Sequence, residues 1–343
     1  MIISYPFGAL SDGTAVTCYR IFGREKAWID VLDYGAAIRS IVVPSHSGIS
    51  TDVVLGYDEA WGYERGQFYF GATVGRHANR IGGGQFSLNG RTYQLERNSG
   101  PNHSHGGVDG FHRRMFTAEI QGDTLCMRLL SPDGDQGYPG TLKLEVCFTF
   151  SREQVLTIRY RAETDKDTVV NLTNHSYFDL SGGVAPMGQR LRLEAEFYTE
   201  NDENTLPTGV IAPVEGTPFD FTTEKSLDRD IDREHRQLRF CRGYDHNFVL
   251  NNGGAVREFA HLESLVTGIS MTAATDLPGV QLYTGNFVEE PQGKGGRHYT
   301  AGSGVCLETQ FFPNAMALEH FPKPILRVGA VYEHTTVYAF SHS

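Results

Sequence analysis

The chain has 343 residues, 40% of them hydrophobic and 21% charged, a balance that excludes a disordered or fibrous protein and leaves ample apolar mass for a core. Its net charge of -11, from 41 acidic against 30 basic residues, argues against nucleic acid or an anionic membrane as partner, since both select a basic face. A neutral polar ligand is unaffected by that charge.

Met1-Ile2-Ile3-Ser4-Tyr5-Pro6-Phe7 contains no basic stretch followed by an apolar run, and nowhere do about 18 apolar residues follow one another, so neither a signal peptide nor a membrane span is expected. Residues 28–34 and 38–43 have strand composition, and a short helical stripe follows at 58–64. Phe86-Ser87-Leu88-Asn89-Gly90-Arg91-Thr92-Tyr93 predicts a hairpin, because Asn-Gly supplies the two positive-φ positions of a type I′ turn. Strands are predicted at 116–120 and 125–130. Leu142, Leu144, Val146, Phe148 and Phe150 alternate with Lys143, Glu145, Cys147 and Thr149, the two-residue period of a half-buried strand, and Leu156, Ile158 and Tyr160 continue it in the next segment. Further strands are expected at 191–197, 248–250, 270–275 and 332–340, with one more short helix at 225–232. No helix has the length that a helix-covered parallel sheet requires.

The expected fold is therefore all-β, a large antiparallel β-sandwich in a single domain over residues 1–343, with no linker or repeat to divide it. Long loops at 100–110 and 291–304 offer ground for a site. The five cysteines, Cys18, Cys126, Cys147, Cys241 and Cys306, are odd in number, widely spaced and never in a Cys-x-x-Cys pair, which predicts reduced thiols and a cytoplasmic location.

Glu308 lies within the strand-like run Gly304-Val305-Cys306-Leu307-Glu308-Thr309-Gln310-Phe311-Phe312-Pro313, where an unpaired charge is costly to bury. His175 lies likewise in Thr173-Asn174-His175-Ser176-Tyr177-Phe178-Asp179-Leu180. Taken alone, a salt-bridged carboxylate and a core histidine explain both. Asp245, in Gly-Tyr-Asp-His-Asn, reads equally as a turn residue. The loop Asn98-Ser99-Gly100-Pro101-Asn102-His103-Ser104-His105-Gly106-Gly107 invites a metal reading, but a zinc site needs three or four ligands and no second spaced pair accompanies this one, so no metal is expected. Gly75-Arg76-His77-Ala78-Asn79-Arg80-Ile81-Gly82-Gly83-Gly84 lacks the Lys-Ser/Thr ending of a nucleotide loop and precedes a hairpin; Asn79 and Arg80 there present donors to hydroxyl groups.

In chain order, Asp33-Tyr34-Gly35-Ala36, Gly56-Tyr57-Asp58, Gly75-Arg76 with Asn79-Arg80-Ile81, His105-Gly106-Gly107, the 173–180 segment, Tyr244-Asp245-His246, Pro278-Gly279-Val280-Gln281-Leu282-Tyr283-Thr284-Gly285-Asn286, Leu307-Glu308-Thr309-Gln310 and the 332–340 strand resemble the aldose 1-epimerase (galactose mutarotase) family. The resemblance spans most of the chain. It implies the family's β-sandwich, Glu308 as general base, His175 as general acid, Asn79, Arg80, His105, Asp245 and Gln281 as sugar-binding residues, and Tyr177 as a wall of the site. It also implies a small aldose sugar as the partner and no cofactor. Three positions depart from the pattern: Ser104 before His-Gly-Gly, Val328-Gly329-Ala330 for a more usual Pro-Gly-Glu, and Asn314 after Phe-Pro.

Interconverting anomers requires a proton to leave the C1 hydroxyl while another reaches the ring oxygen, so that the ring opens, turns about C1–C2 and recloses. A carboxylate and an imidazolium suffice. Ordinary values of about 4.3 and about 6.5 predict an active window between them, with a nearby carboxylate raising the histidine. A glycosidase would need Asp245 as second carboxylate, a hexose-phosphate epimerase would use Arg76 with Arg80, and a binding module would not need a poised proton donor.

Overall fold

The computed structural model describes residues 1–24 and 26–342. Three antiparallel sheets dominate it. Nine strands run in the order Thr117–Gln121, Thr124–Ser131, Leu142–Phe150, Val155–Thr164, Tyr332–His342, Ile269–Thr275, Arg257–Glu263, Arg190–Leu193 and Lys225–Ser226. Six run in the order Tyr177–Phe178, Val305–Gln310, Gly279–Tyr283, Asp245–Val249, Phe197–Asn201 and Pro207–Pro213. A five-stranded meander from Ile2–Ala9 to Ser50–Asp52 completes the set.

The strand period dictates how the layers meet. Leu142, Leu144, Val146, Phe148 and Phe150 all point inward from their strand, as the alternation predicts. They join one core cluster with Val280, Leu282, Val305 and Leu307 of the six-stranded sheet and Ile29, Ile38 and Ile41 of the meander. Between the two larger sheets, the Tyr338 hydroxyl donates to the Leu307 carbonyl at 3.1 Å and its ring packs on Phe178 at 5.0 Å. Every residue of Val305–Gln310 is buried, so this strand is covered on both faces. One face meets the core; the other floors a cleft.

The predicted hairpin forms, with Asn89 and Gly90 at φ 51° and 75° between Gln85–Leu88 and Arg91–Gln94. The helix expected at 58–64 forms as Ala60–Arg65. Three expectations fail. The strand expected at 191–197 is two, Arg190–Leu193 in the nine-stranded sheet and Phe197–Asn201 in the six-stranded one, because the chain changes layers between them. The helix expected at 225–232 does not form: Lys225–Ser226 is an edge strand, and the buried Lys225 ammonium is held by the Pro218 carbonyl at 2.6 Å and Asp230 at 2.7 Å. The helix lies at Arg236–Cys241.

The cysteines give the third correction. Cys126 and Cys147 are directly opposed on adjacent strands, with Cα atoms 4.1 Å apart, and form a disulfide. Residues 21 apart in sequence become neighbours only when their strands pair. Cys18, Cys241 and Cys306 are free and buried. Among the described residues no helix is long and apolar enough to cross a membrane.

Candidate functional site

Strand register builds the floor of the cleft. Tyr177 opposes Cys306, Cys306 opposes Tyr283, and Tyr283 opposes Asp245, so these four side chains form one cross-strand row. Glu308, Gln281 and Asn247 form the next. Directly opposed residues share a face. Along the Val305–Gln310 strand the even residues therefore face the cleft, while Leu307 enters the core and Thr309 hydrogen-bonds Thr336 of the opposite sheet at 2.6 Å.

His175 reaches this floor from a turn fixed by Asn174, whose side chain donates to the Gly71 carbonyl and accepts from the backbone N–H and hydroxyl of Ser176. Its imidazole is stacked between Tyr69 and Tyr177, with ring centroids 5.6 and 5.0 Å away and planes within 17° and 20° of parallel. The edges of the ring are engaged as well. Nδ1 lies 3.5 Å from Sγ of Cys306, and Nε2 lies 3.6 Å from Oε2 of Glu308.

The rim comes from the two glycine-bearing loops. Asn79 and His105 are both non-glycine residues with left-handed backbones, φ 61° and 50°. Such residues need surrounding structure to hold them. They hold one another: the Asn79 N–H donates to Nδ1 of His105, and the His105 N–H donates to the Asn79 carbonyl, both at 3.3 Å. Gly106 then passes so close to Gly75 that a Cβ would lie 1.9 Å from its carbonyl oxygen. Across the cleft, Asp245 accepts from the Gln281 amide at 2.6 Å and faces the Arg80 guanidinium at 3.4 Å. Gln310 continues the chain, with contacts to Asn79, Gln281 and Asn247 at 3.3–3.4 Å.

Burial governs the charges. It lowers His175 to about 4 and raises Glu308 to about 8, the latter helped by the negative charge of Asp245 and opposed by Arg80. The expectation that a neighbouring carboxylate would raise the histidine is thus corrected: taking the ring out of water lowers it, and Glu308, kept protonated by its own burial, offers no negative charge to offset that. His105 is pushed well below its ordinary value by burial and by the nearby His175 and Arg80. Oε2 of Glu308 is buried with no hydrogen-bond partner among the described residues and faces Nε2 of His175.

Seven of the eight residues singled out in the sequence line this cleft of about 200 Å³: Glu308, His175, Asn79, Arg80, His105, Tyr177 and Asp245. Gln281 lies beneath, behind Asp245. Arg76 is elsewhere. It is buried and caged by the carbonyls of Pro139, Gly140 and Ser131, which leaves Arg80 as the one Arg or Lys among the described residues of the lining and removes the pair that a phosphate would need. His103 is held by the Glu96 carbonyl and the Tyr138 hydroxyl, both at 2.7 Å, and His246 by Gln237, so neither enters. The metal argument from the His-x-His loop counted the wrong pair: His105, His175 and Glu308 offer ligand atoms within 4.8 Å of one another, a grouping able to hold an ion. Tyr69, Tyr283, Phe287 and Cys306 were missed. Only Cys306 carried a signal, standing two residues before Glu308 in a strand.

A sequence model of the aldose 1-epimerase family matches residues 18–339. The chain is 42% identical to a galactose mutarotase from Bos taurus over 98% of its own length and 97% of the relative's, and 33% identical to an aldose 1-epimerase from Escherichia coli over 91% of each. Among solved structures it resembles an aldose epimerase homologue from C. elegans, with a TM-score of 0.88 and 30% identity over 94% of this chain and 98% of that one. A galactose 1-epimerase from Lactobacillus acidophilus gives 0.86 and 25% over 100% and 99%. The chain belongs to the aldose 1-epimerase family.

Proposed function

We propose that the protein interconverts the α and β anomers of a free aldohexose, galactose or glucose, with Glu308 as general base and His175 as general acid. The observation that carries this reading is the facing pair itself, Glu308 Oε2 with no partner and His175 Nε2 3.6 Å away. Opening the ring moves the C1 hydroxyl proton onto the carboxylate and the Nε2 proton onto the ring oxygen; reclosure on either face of C1 reverses both. The two residues hold one exchangeable proton between them throughout. In the empty cleft burial favours that proton on Glu308, and sugar hydroxyls supply the hydrogen bonds that stabilise the carboxylate and release it to the imidazole.

Arg80, Asn79 and His105 on one wall and Asp245 on the other supply donors and acceptors for ring hydroxyls, with Gln281 orienting Asp245. At about 200 Å³ the cleft is smaller than a drug-sized pocket and suits a small ligand such as one pyranose. The chemistry asks for no Lewis acid, so activity should survive exhaustive chelation; loss on chelation with recovery on added zinc would instead make His105, His175 and Glu308 a metal site. The single guanidinium favours a neutral sugar over a hexose phosphate. Polarimetry of freshly dissolved α-galactose and α-glucose, with and without protein, tests the assignment: no acceleration with either sugar defeats it.

The cytoplasmic expectation rests on reading all five cysteines as reduced thiols; three are free, whereas the Cys126–Cys147 disulfide points to an oxidising compartment. Thiol counting on denatured protein from freshly broken cells, alkylated at once, separates five free thiols from three.

A further inference from the structure

Cys306 and Glu308 emerge on the same face of one strand and bracket the His175 ring, sulfur 3.5 Å from Nδ1 and carboxylate oxygen 3.6 Å from Nε2. The ring cannot swing out of that alignment, because Tyr69 and Tyr177 cover its two faces. In a neutral imidazole, the nitrogen that carries the proton is set by the partner of each ring atom. Glu308 faces Nε2, and Nε2 can take and return a proton only if the fixed N–H sits on Nδ1. The side chain at Nδ1 is the thiol.

We infer that Cys306 is a positioning residue: its sulfur accepts the Nδ1–H of His175 and thereby keeps Nε2 as the nitrogen that exchanges protons in the cleft. Burial raises the thiol well above its ordinary range, so it is a neutral partner in every state of the cycle. That neutrality has a use. A carboxylate at Nδ1 would strengthen the base and stabilise the imidazolium, whereas sulfur is a weak acceptor and orients the ring without blunting the acidity needed to protonate a feebly basic ether oxygen. No electrons move and no bond to sulfur forms; the thiol keeps its own proton throughout.

The inference rests on the reading of His175 as the proton donor, and its test separates the two. Nitrogen-15 spectra of histidine-labelled parent protein at neutral pH, without sugar, should show Nδ1 of His175 protonated and Nε2 bare. The opposite tautomer overturns the inference, whatever the activity. Cys306→Ala should mix the tautomers and lower kcat on the order of 10-fold, a fraction of the roughly 10²–10⁴ that a placed acid supplies, with KM within about twofold because no sugar contact is lost. Cys306→Ser, whose oxygen can accept the same hydrogen bond, should recover kcat to within about threefold of the parent. Unchanged kcat and unchanged nitrogen shifts in Cys306→Ala, even with lowered stability, would make the thiol mere packing. Absence of mutarotation in the parent would fail the functional reading while leaving the nitrogen shifts to decide this one.

Discussion

Glu308 is 2% exposed and lies between a sheet floor and a stacked histidine, so its carboxyl pays for its position in stability. Its folded-state value is raised to about 8. The sign follows: above about 4.5 the unfolded chain releases the proton that the folded chain keeps, so stability falls as pH rises towards 8. Glu308→Gln should therefore remove turnover, leave sugar binding nearly intact, and raise stability at pH 7 by on the order of 1–3 kcal/mol. Melting curves at pH 7 and pH 4.5 check it; the gain should shrink at the lower pH, and a variant that still turned over within a few-fold would remove Glu308 as base. For His175, with a lowered value, the sign is reversed: stability is lost as pH falls from about 6.5 through about 4. His175→Asn should cost on the order of 100-fold or more in kcat/KM. Since the pair works with one shared proton, kcat/KM of the parent should fall on an acidic limb near 4 and a basic limb near 8, wider than ordinary values would give. A flat profile with chemistry rate-limiting would contradict the pairing.

At the scale of elements, the loops that carry Asn79 and His105 are locked by backbone contact. Gly106 has φ 81° and its missing Cβ leaves room for the Gly75 carbonyl, so Gly106→Ala should strain the backbone and force the loops apart. We expect a loss of more than about 2 kcal/mol in unfolding free energy and a raised KM through displaced Asn79 and His105, measured by denaturant titration beside kinetics; an unaltered KM would show that the rim does not depend on this approach. The cross-strand disulfide joins two strands of the nine-stranded sheet and takes no part in lining the cleft. Cys126→Ser with Cys147→Ser should lower stability by roughly 2–4 kcal/mol and leave kcat/KM unchanged. Neither the disulfide nor the layer change between Arg190–Leu193 and Phe197–Asn201 was legible, because each depends on which strands become neighbours. The hairpin and the 142–150 strand were legible, because Asn-Gly turns and two-residue alternation are local.

Across the whole molecule, the all-β architecture followed from alternation, but the order of strands within each sheet did not, since local pattern carries no information about distant pairing. Glu308 and His175 stood out in the sequence as ionisable groups in apolar runs, Asn79 and Arg80 as donors to hydroxyl groups, and the family resemblance supplied His105, Tyr177, Asp245 and Gln281. Arg76 stayed open as half of a phosphate-binding pair because a buried guanidinium among carbonyls and one in a cleft look alike in sequence. Tyr69 gave no signal, lying in a run of aromatics. The register of one strand now has a further meaning for the history of such a chain. Cys306, Glu308 and Gln310 sit on the cleft side of their sheet, Glu308 alone of the three lining the cleft itself, only because each is two residues from the next, and shifting the strand by one residue would turn all three into the core at once. Point changes can erode this site gradually, but an insertion or deletion of a single residue inside Val305–Gln310 removes it in one step. Length variation among descendants should therefore accumulate in loops such as 291–304, while these six positions keep their number even where their chemistry drifts.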